Sequence, residues 1–265
     1  MNLNNENIFL QNNLYGLNKY LIDLLKLFDC GKLPKVLMFS GKKGQGKFTL
    51  THHLMSYIFD KKNYDTNSFT INKANKIFYD IKKNLNPNIT YLACSEKNIK
   101  IEDIRKLREN LQMSSINNSF RFIIIDDIEY LNENCINALL KSIEEPSSIN
   151  NFILINNQTS PILDTLKSRS VEILFFLSKT EKKEITQRLI SDFKIEANTN
   201  LSDTLLTPGN YLKYSKFLSN DEININDKLI INIEKLYKLN KSKKNIDYLN
   251  FAIYLINQYY FNISK

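Results

Sequence analysis

The feature that constrains this chain most is a short apolar segment that runs into a glycine-rich loop ending in lysine. Val36–Ser40 has the composition of a buried strand, and Gly41, Gly44, Gly46 and Lys47 follow it with the spacing G-x-x-x-x-G-K. The chain has only six glycines, and three of them lie within this loop. Glycines let the backbone wrap closely around an anion, and the lysine supplies a positive charge. The pattern predicts a phosphate-binding loop between a strand and a helix, with an ordinary glycine-rich turn as the alternative.

The loop lacks one of its usual chemical groups. In phosphate-binding loops of this type, a serine or threonine follows the lysine and its hydroxyl coordinates magnesium. Here that position is Phe48, which has no oxygen to offer. Thr49 comes one residue later, where a helix turns its side chain away by about 100°. Phe48 is either a replaced ligand or simply a core side chain, and both interpretations predict weakened magnesium binding.

A second apolar segment ends in two carboxylates. Phe122–Asp126 is typical of a buried strand, and Asp127 follows it directly. In nucleotide hydrolases an acid at the end of such a strand holds the magnesium, and a further residue orients the attacking water. Asp126 is therefore a candidate magnesium site, and Asp127 stands where a glutamate usually orients the water. Aspartate is shorter by one methylene, which sets its carboxylate back by about 1.5 Å.

Five apolar, β-branched or aromatic segments alternate with segments of helical spacing, which predicts an α/β fold with a parallel sheet. The five strands are expected at Val36–Ser40, Ile89–Leu92, Phe122–Asp126, Phe152–Asn156 and Val171–Phe176. Helices are expected after the loop and at Ile101–Leu111, Asn132–Glu145, Thr180–Phe193, Asp203–Leu218 with an interruption at Pro208, Asn224–Leu239 and Ile246–Phe261. Strand patterns end near residue 178, so the remainder is expected to be helical.

Composition excludes several classes of protein. The net charge of +8 is spread along the chain, and with 31 lysines against 5 arginines it does not establish DNA binding. Long uncharged apolar stretches and a secretory signal are both missing, so we expect a cytoplasmic protein. Cys30, Cys94 and Cys135 are widely spaced, which favours reduced, buried thiols over disulfides or a zinc site.

Three further segments carry a resemblance to a known family. Asn137–Pro146 reads NALLKSIEEP and resembles the helix that follows the acidic strand in DNA clamp-loader subunits. Asn157, after the strand Phe152–Asn156, is similar to the family's first sensor. Ser168–Ser170 is similar to its Ser-Arg-Cys motif. The resemblance covers about residues 14–220 and implies an AAA+ fold.

The resemblance implies a chain in three parts. Residues 1–178 would form an AAA+ P-loop domain with a five-stranded parallel sheet, residues 179–220 a small helical lid, and residues 221–265 a shortened helical collar segment. Many members bind zinc through cysteines between the loop and the second strand. Residues 50–88 contain no cysteine, so no zinc is expected.

Within the family, the details resemble the delta-prime type, a subunit that is not a motor. Gly46–Leu50 lacks the hydroxyl after the lysine, Ile101–Arg105 resembles the helix before the acidic strand, and that strand ends in Asp-Asp where a motor subunit carries Asp-Glu. Asn210 stands in the second-sensor region, where active subunits place an arginine. Arg169 has the position of an arginine finger that acts in trans on a neighbour's nucleotide. An arginine that caps a helix or pairs at the surface is the alternative.

The resemblance also implies a function and partners. The implied role is to support ATP-dependent loading of the sliding clamp onto primed DNA, in a hetero-oligomer with the gamma/tau ATPase and delta subunits of DNA polymerase III, a nucleotidyltransferase. Binding of ATP and magnesium by the chain itself would be weakened. The residues implied in nucleotide binding are Gly41, Gly44, Gly46, Lys47, Phe48, Thr49, Asp126, Asp127 and Asn157. An ATP-hydrolysing motor subunit and an unrelated P-loop regulator are the alternatives.

Overall fold

A computed structural model shows two compact units, Met1–Glu181 and Lys182–Lys265. The residues that the structure describes are 11–77, 80–94, 99–112, 120–195, 201, 205–221 and 223–264. Within this part of the chain, no helix is long and apolar enough to cross a membrane.

The first unit is built on a five-stranded parallel sheet, as the sequence predicts. Its strands are β1 (Val36–Ser40), β4 (Ile89–Ala93), β5 (Arg121–Asp126), β6 (Asn150–Asn156) and β7 (Val171–Leu174). Their order is β4-β5-β6-β1-β7, which leaves β7 at one edge. The last strand is shorter than predicted, because Phe176 lies beyond its end with 76% of its surface exposed. The α/β fold class and all five strands are confirmed.

The three central strands are apolar because both faces of the sheet are covered. Every residue of β1 and β6 is buried, and so are the first five residues of β5. Strands covered on both faces appear as continuous apolar runs in the sequence, without the alternation of half-exposed strands. This burial fixes the carboxyl ends of β1, β5 and β6 side by side.

Six helices of the described residues precede or follow these strands along the first unit. They are α1 (Asn18–Asp29), α2 (Lys47–Phe59), α3 (Asp80–Lys83), α4 (Ile101–Gln112), α5 (Glu133–Glu144) and α6 (Asp164–Lys167). A further helix, α7 (Lys179–Phe193), begins at the end of the first unit and belongs mostly to the second. The predicted helix at Asn132–Glu145 is α5, and Asn132 is its cap, since its side chain accepts a hydrogen bond from the Cys135 N–H at 2.9 Å. The sequence missed α1 and an antiparallel pair, β2 (Tyr64–Asp65) and β3 (Thr70–Ile71).

The second unit contains α8 (Pro208–Asn220), α9 (Leu229–Lys243) and α10 (Asp247–Ile263). The predicted interruption at Pro208 was wrong, because Pro208 is the first residue of α8, a position where its missing N–H costs nothing. Residues 203 and 204 of that predicted helix lie outside the described residues. The predicted start of α9 at Asn224 was also wrong. Asn224 forms a turn. Its side chain accepts a hydrogen bond from the Asn226 N–H, and its carbonyl accepts one from the Asp227 N–H.

Aromatic stacking and a buried ion pair hold α8 against α10. The rings of Tyr214 and Phe251 stack at 4.4 Å between centroids, and those of Phe217 and Tyr248 at 4.3 Å. Lys213 pairs with Asp247 at 2.7 Å with both side chains largely buried. Residues on both sides of position 220 therefore share one hydrophobic core. The division into lid and collar stays a prediction.

One expectation about the cysteines needs correction. Cys94 and Cys135 are buried free thiols, as expected, but Cys30 is exposed. Cys30 follows the last residue of α1, at a helix end that faces solvent. Wide spacing in the sequence indicates that a thiol is unpaired, and it carries no information on burial.

Candidate nucleotide site

The candidate site lies where three neighbouring strands end. The loop after β1 lies beside the end of β6, since Ser40 and Asn156 are register partners in the parallel pair. The Asn156 side chain donates to the Ser40 hydroxyl at 3.1 Å, and the Gly41 N–H donates to the Asn156 carbonyl at 3.1 Å. Asp126 ends β5, on the other side of β6. The topology thus gathers the predicted loop, acids and sensor at one edge of the sheet.

The loop glycines are required by the backbone. Gly44 and Gly46 have φ angles of +86° and +92°, in the left-handed region that side chains disfavour. Gly46 caps the amino end of α2, so the loop runs directly into a helix. A Cβ at Gly41 would lie 2.9 Å from the backbone oxygen of Phe175. These positions form a loop that turns its backbone towards the helix start, where anions bind.

Lys47 is almost completely buried and lies across its own loop. Its ammonium donates to the carbonyl oxygens of Gly41 at 2.6 Å and Lys42 at 3.0 Å. Burial lowers the pKa of Lys47 to about 8, although the carboxylates of Asp126, Glu129 and Asp127 favour its charged form. The lysine is therefore held by its own loop and is close to losing its charge at mildly alkaline pH.

The acidic pair is tightly organised. The Asp127 backbone is left-handed, with a φ of +56°, and its N–H donates to Asp126 Oδ1 at 2.9 Å. The Tyr91 hydroxyl donates to Asp126 Oδ2 at 3.1 Å. Burial, and then the charge of Asp127, raise the pKa of Asp126. Both oxygens of Asp126 therefore accept hydrogen bonds from this chain.

Asp127 is held by the predicted sensor and by a lysine that sequence reasoning did not single out. The Asn157 side chain donates to Asp127 Oδ1 at 2.6 Å, and the Lys43 ammonium lies 3.4 Å from Asp127 Oδ2. Asn157 and Asp127 are both buried. The structure thus brings together the phosphate loop, the acidic pair and the sensor position.

Glu129 is a second residue that sequence reasoning missed. It lies on a short 3₁₀ turn after the acidic pair, and its carboxylate accepts from the Asn157 N–H at 3.0 and 3.2 Å. The hydroxyl of Thr159 donates to the same carboxylate at 2.9 Å. Glu129 therefore fixes the segment that carries the sensor. The only signal in the sequence is a third carboxylate three residues after Asp126.

The site lacks one oxygen that phosphate-binding loops usually offer to magnesium. Magnesium requires oxygen ligands in near-octahedral geometry, but Phe48 has no oxygen and its half-buried ring packs against Tyr91 at 5.2 Å between centroids. All four oxygens of the acidic pair accept hydrogen bonds from the protein. Thr49 lies one residue further along α2. Among the described residues, no cluster of three or more acidic, histidine or cysteine side chains could hold a metal.

Arg169 lies outside this cluster. It follows α6 and precedes β7, the edge strand. Its Nε donates to Glu144 Oε1 at 2.8 Å and its Nη1 to the Thr165 carbonyl at 2.9 Å, and the side chain is 37% exposed. Asn210 lies in the first turn of α8, in the second unit.

The site consists of a strand, a glycine-rich loop that ends in Lys47, and a helix, all on a five-stranded parallel sheet. The acidic strand and the asparagine at the sensor position lie beside this loop. Together these features define an AAA+ P-loop protein. The family model described as "DNA polymerase III, delta subunit" matches residues 17–179. The chain belongs to this family of clamp-loader subunits.

Individual relatives agree with this placement. The chain is similar to the DNA polymerase III subunit gamma of Buchnera aphidicola, with 26% identity over 78% of this chain and 59% of the relative. It is similar to the subunit delta' of the same organism, with 24% identity over 75% of this chain and 59% of the relative. The chain thus spans 59% of the length of each of these relatives. The Thermotoga maritima RuvB Holliday junction branch migration motor has the same fold, with 17% identity, a TM-score of 0.51, and coverage of 89% and 81% of the two chains.

Proposed function

We propose that this chain is a non-motor, delta-prime-like subunit of a DNA polymerase III clamp loader. One observation carries the proposal: the phosphate loop is complete in its backbone, while the acid that would act on water is bound by Asn157 and Lys43. Phe48 adds to this by replacing the hydroxyl that binds magnesium. A site of this kind holds phosphates without hydrolysing them.

In this proposal, the chain's own residues bind and position. The loop backbone and Lys47 hold the phosphates of ATP, and Asp126 and Asn157 line the same site. Asp127 is less able to orient an attacking water because each of its oxygens already accepts a hydrogen bond, from Asn157 or Lys43. ATP binding by this chain is weak, and hydrolysis does not follow it.

Arg169 supplies the chemistry that the chain offers to a neighbour. It lies beside the exposed edge strand β7, and its ion pair with Glu144 lies at the surface. Both side chains are more than one third exposed, so the pair contributes only about 0–1 kcal/mol of stability. Little is therefore lost when Arg169 turns from Glu144 to a phosphate of the adjoining subunit.

The partners follow from this role. We propose a hetero-oligomer with the gamma/tau ATPase and delta subunits, which contacts the sliding clamp and primed DNA through the assembled complex. Residues 179–220 would serve as the lid and residues 221–265 as a shortened collar. The relatives named gamma and delta' are both clamp-loader subunits of DNA polymerase III, which supports this class of assembly.

A motor subunit is the second candidate, and the similarity to a gamma subunit over 78% of this chain favours it. The location of Lys47, Asp126 and Asn157 at one edge of the sheet supports nucleotide binding in this candidate as well. The two candidates differ in whether the ATP bound by this chain is hydrolysed.

Reconstitution with candidate gamma/tau and delta subunits tests the proposed function. We expect the chain to elute with them in one complex on size exclusion, and omission of the chain to abolish ATP-dependent loading of the clamp onto primed DNA. A complex that forms and loads the clamp equally well without this chain would contradict the proposal.

Affinity for ATP is expected to fall as the pH rises above the pKa of Lys47. The Lys47 side chain is charged below about pH 8 and neutral above it. Above pH 8, binding of ATP therefore requires Lys47 to take up a proton. We expect the dissociation constant to rise by up to about tenfold per pH unit between pH 8 and 9.5, measured by calorimetry in EDTA.

Lys47→Arg is the matched control, because an arginine keeps its charge throughout this range. Its affinity is expected to be nearly independent of pH. An equal pH dependence in both proteins would show that Lys47 does not cause the effect.

A further inference from the structure

We propose that Lys43 takes the place of the divalent cation at the phosphate loop, so that this chain binds the polyphosphate of a nucleotide without magnesium. The inference rests on the nucleotide binding proposed above and specifies its chemistry. The phosphate loop of an AAA+ fold normally works with a metal, but the side chains of this site differ from those that usually bind one.

The metal's usual oxygen partners are absent or engaged. Phe48 offers an aromatic ring where a hydroxyl is expected, and that ring packs on Tyr91. Tyr91 in turn donates to Asp126 Oδ2, and the Asp127 N–H donates to Asp126 Oδ1. A hydrated magnesium ion would have to share both Asp126 oxygens with contacts that the protein makes with itself.

Lys43 forms the connection that a metal would otherwise form. In metal-dependent sites the cation joins the phosphates held by the loop to the acid at the end of the neighbouring strand. Lys43 belongs to the loop, and its ammonium lies 3.4 Å from the carboxylate of Asp127, directly after β5. It therefore links the same two elements.

The position of Lys43 suits a mobile phosphate contact. Its side chain is 27% exposed, while the Asp127 side chain is 7% exposed, so the ion pair lies at the rim of a buried acid. An ammonium has three donor protons and can hold a carboxylate and a phosphate oxygen together. A compact point charge in the loop is also the way in which lysines bind phosphates in other P-loops.

The predicted ligand is thus the free nucleotide anion. Lys43 already supplies a positive charge between the loop and Asp127, and Phe48 offers no oxygen for a metal that arrives with the nucleotide. Magnesium is therefore expected to give no gain in affinity.

Calorimetry with ATP in EDTA and with ATP in excess magnesium tests this inference on the purified chain. For the wild type we expect equal or tighter binding in EDTA. In EDTA, Lys43→Gln is expected to bind ATP about 10- to 100-fold more weakly than the wild type, which is the loss typical for a charge-assisted hydrogen bond. Magnesium should recover part of that loss, because the substitution releases Asp127.

Two matched variants assign the effect to this position. Lys42→Gln removes the same charge from an adjacent, exposed side chain of the loop. In EDTA its affinity for ATP should fall by less than about threefold. Lys43→Arg keeps the charge and should retain metal-free binding. Thermal unfolding of each variant shows whether a loss of ATP affinity comes from misfolding.

Three outcomes overturn the inference: tenfold or greater tightening of the wild type by magnesium, equal losses in Lys42→Gln and Lys43→Gln, or no binding in either buffer. None of these bears on the proposed clamp-loader role, which fails separately if the reconstituted complex does not need the chain. The two failures are therefore distinguishable.

Discussion

Replacement of Arg169 by alanine is expected to lower ATP turnover in the reconstituted complex while this chain still folds and assembles. Among the described residues, the guanidinium pairs with exposed groups, Glu144, the Thr165 carbonyl and the Ser168 hydroxyl, so its loss costs little stability. At a site that depends on it, loss of an arginine finger lowers the rate by about 10³–10⁵-fold. Other sites in the ring share the turnover, so total ATPase and clamp-loading rates should fall by a smaller factor.

Two controls separate a finger from a surface arginine. Glu144→Gln removes the partner in the ion pair and leaves Arg169 available, so turnover should match the wild type. Arg169→Lys keeps the charge but cannot donate two parallel hydrogen bonds to a phosphate, so it should not restore the rate. Wild-type turnover in a fully assembled Arg169→Ala complex would leave Arg169 as a structural residue.

Hydrolysis of ATP by the isolated chain is expected to be negligible. Phe48 removes a magnesium ligand, Asn210 stands where an arginine is expected, and Lys43 and Asn157 occupy both oxygens of Asp127. Ordinary enzymes turn over at about 1–10³ per second. We expect a steady-state rate at least about 10³-fold below that range with saturating ATP and magnesium.

Asp126→Asn provides the control for this assay. A trace rate that persists in this variant comes from a contaminating ATPase, while a trace rate that disappears belongs to the site. Turnover near one per second that Asp126→Asn abolishes would establish the motor alternative.

The sequence predicted the sheet and the loop well because both rest on strong local patterns. Val36–Ser40 and Phe122–Asp126 are buried on both faces, so each is a continuous apolar run that ends at a chemically distinctive residue. Short elements such as β2 and β3, with two residues each, contain too few residues for a period to appear.

The details of the site were less predictable because they depend on contacts between distant residues. Lys43 and Asp127 are 84 positions apart in the sequence. In the sequence alone, a lysine in a loop cannot be distinguished from a solvated lysine, because only the fold places it near a carboxylate. Glu129 likewise gains its role only when β6 brings Asn157 beside the 3₁₀ turn. Arg169 was predicted by resemblance alone, and the structure adds that its present partner is Glu144.

The most direct test of the account compares two variants of this chain in the same reconstituted complex. Clamp loading onto primed DNA is measured with wild type, Lys47→Ala and Arg169→Ala, with assembly verified by size exclusion. If this chain is a non-motor subunit that acts on its neighbour, Lys47→Ala loads clamps at nearly the wild-type rate and Arg169→Ala is slow. A slow Lys47→Ala complex together with a wild-type rate for Arg169→Ala would contradict the account and identify the chain as a motor.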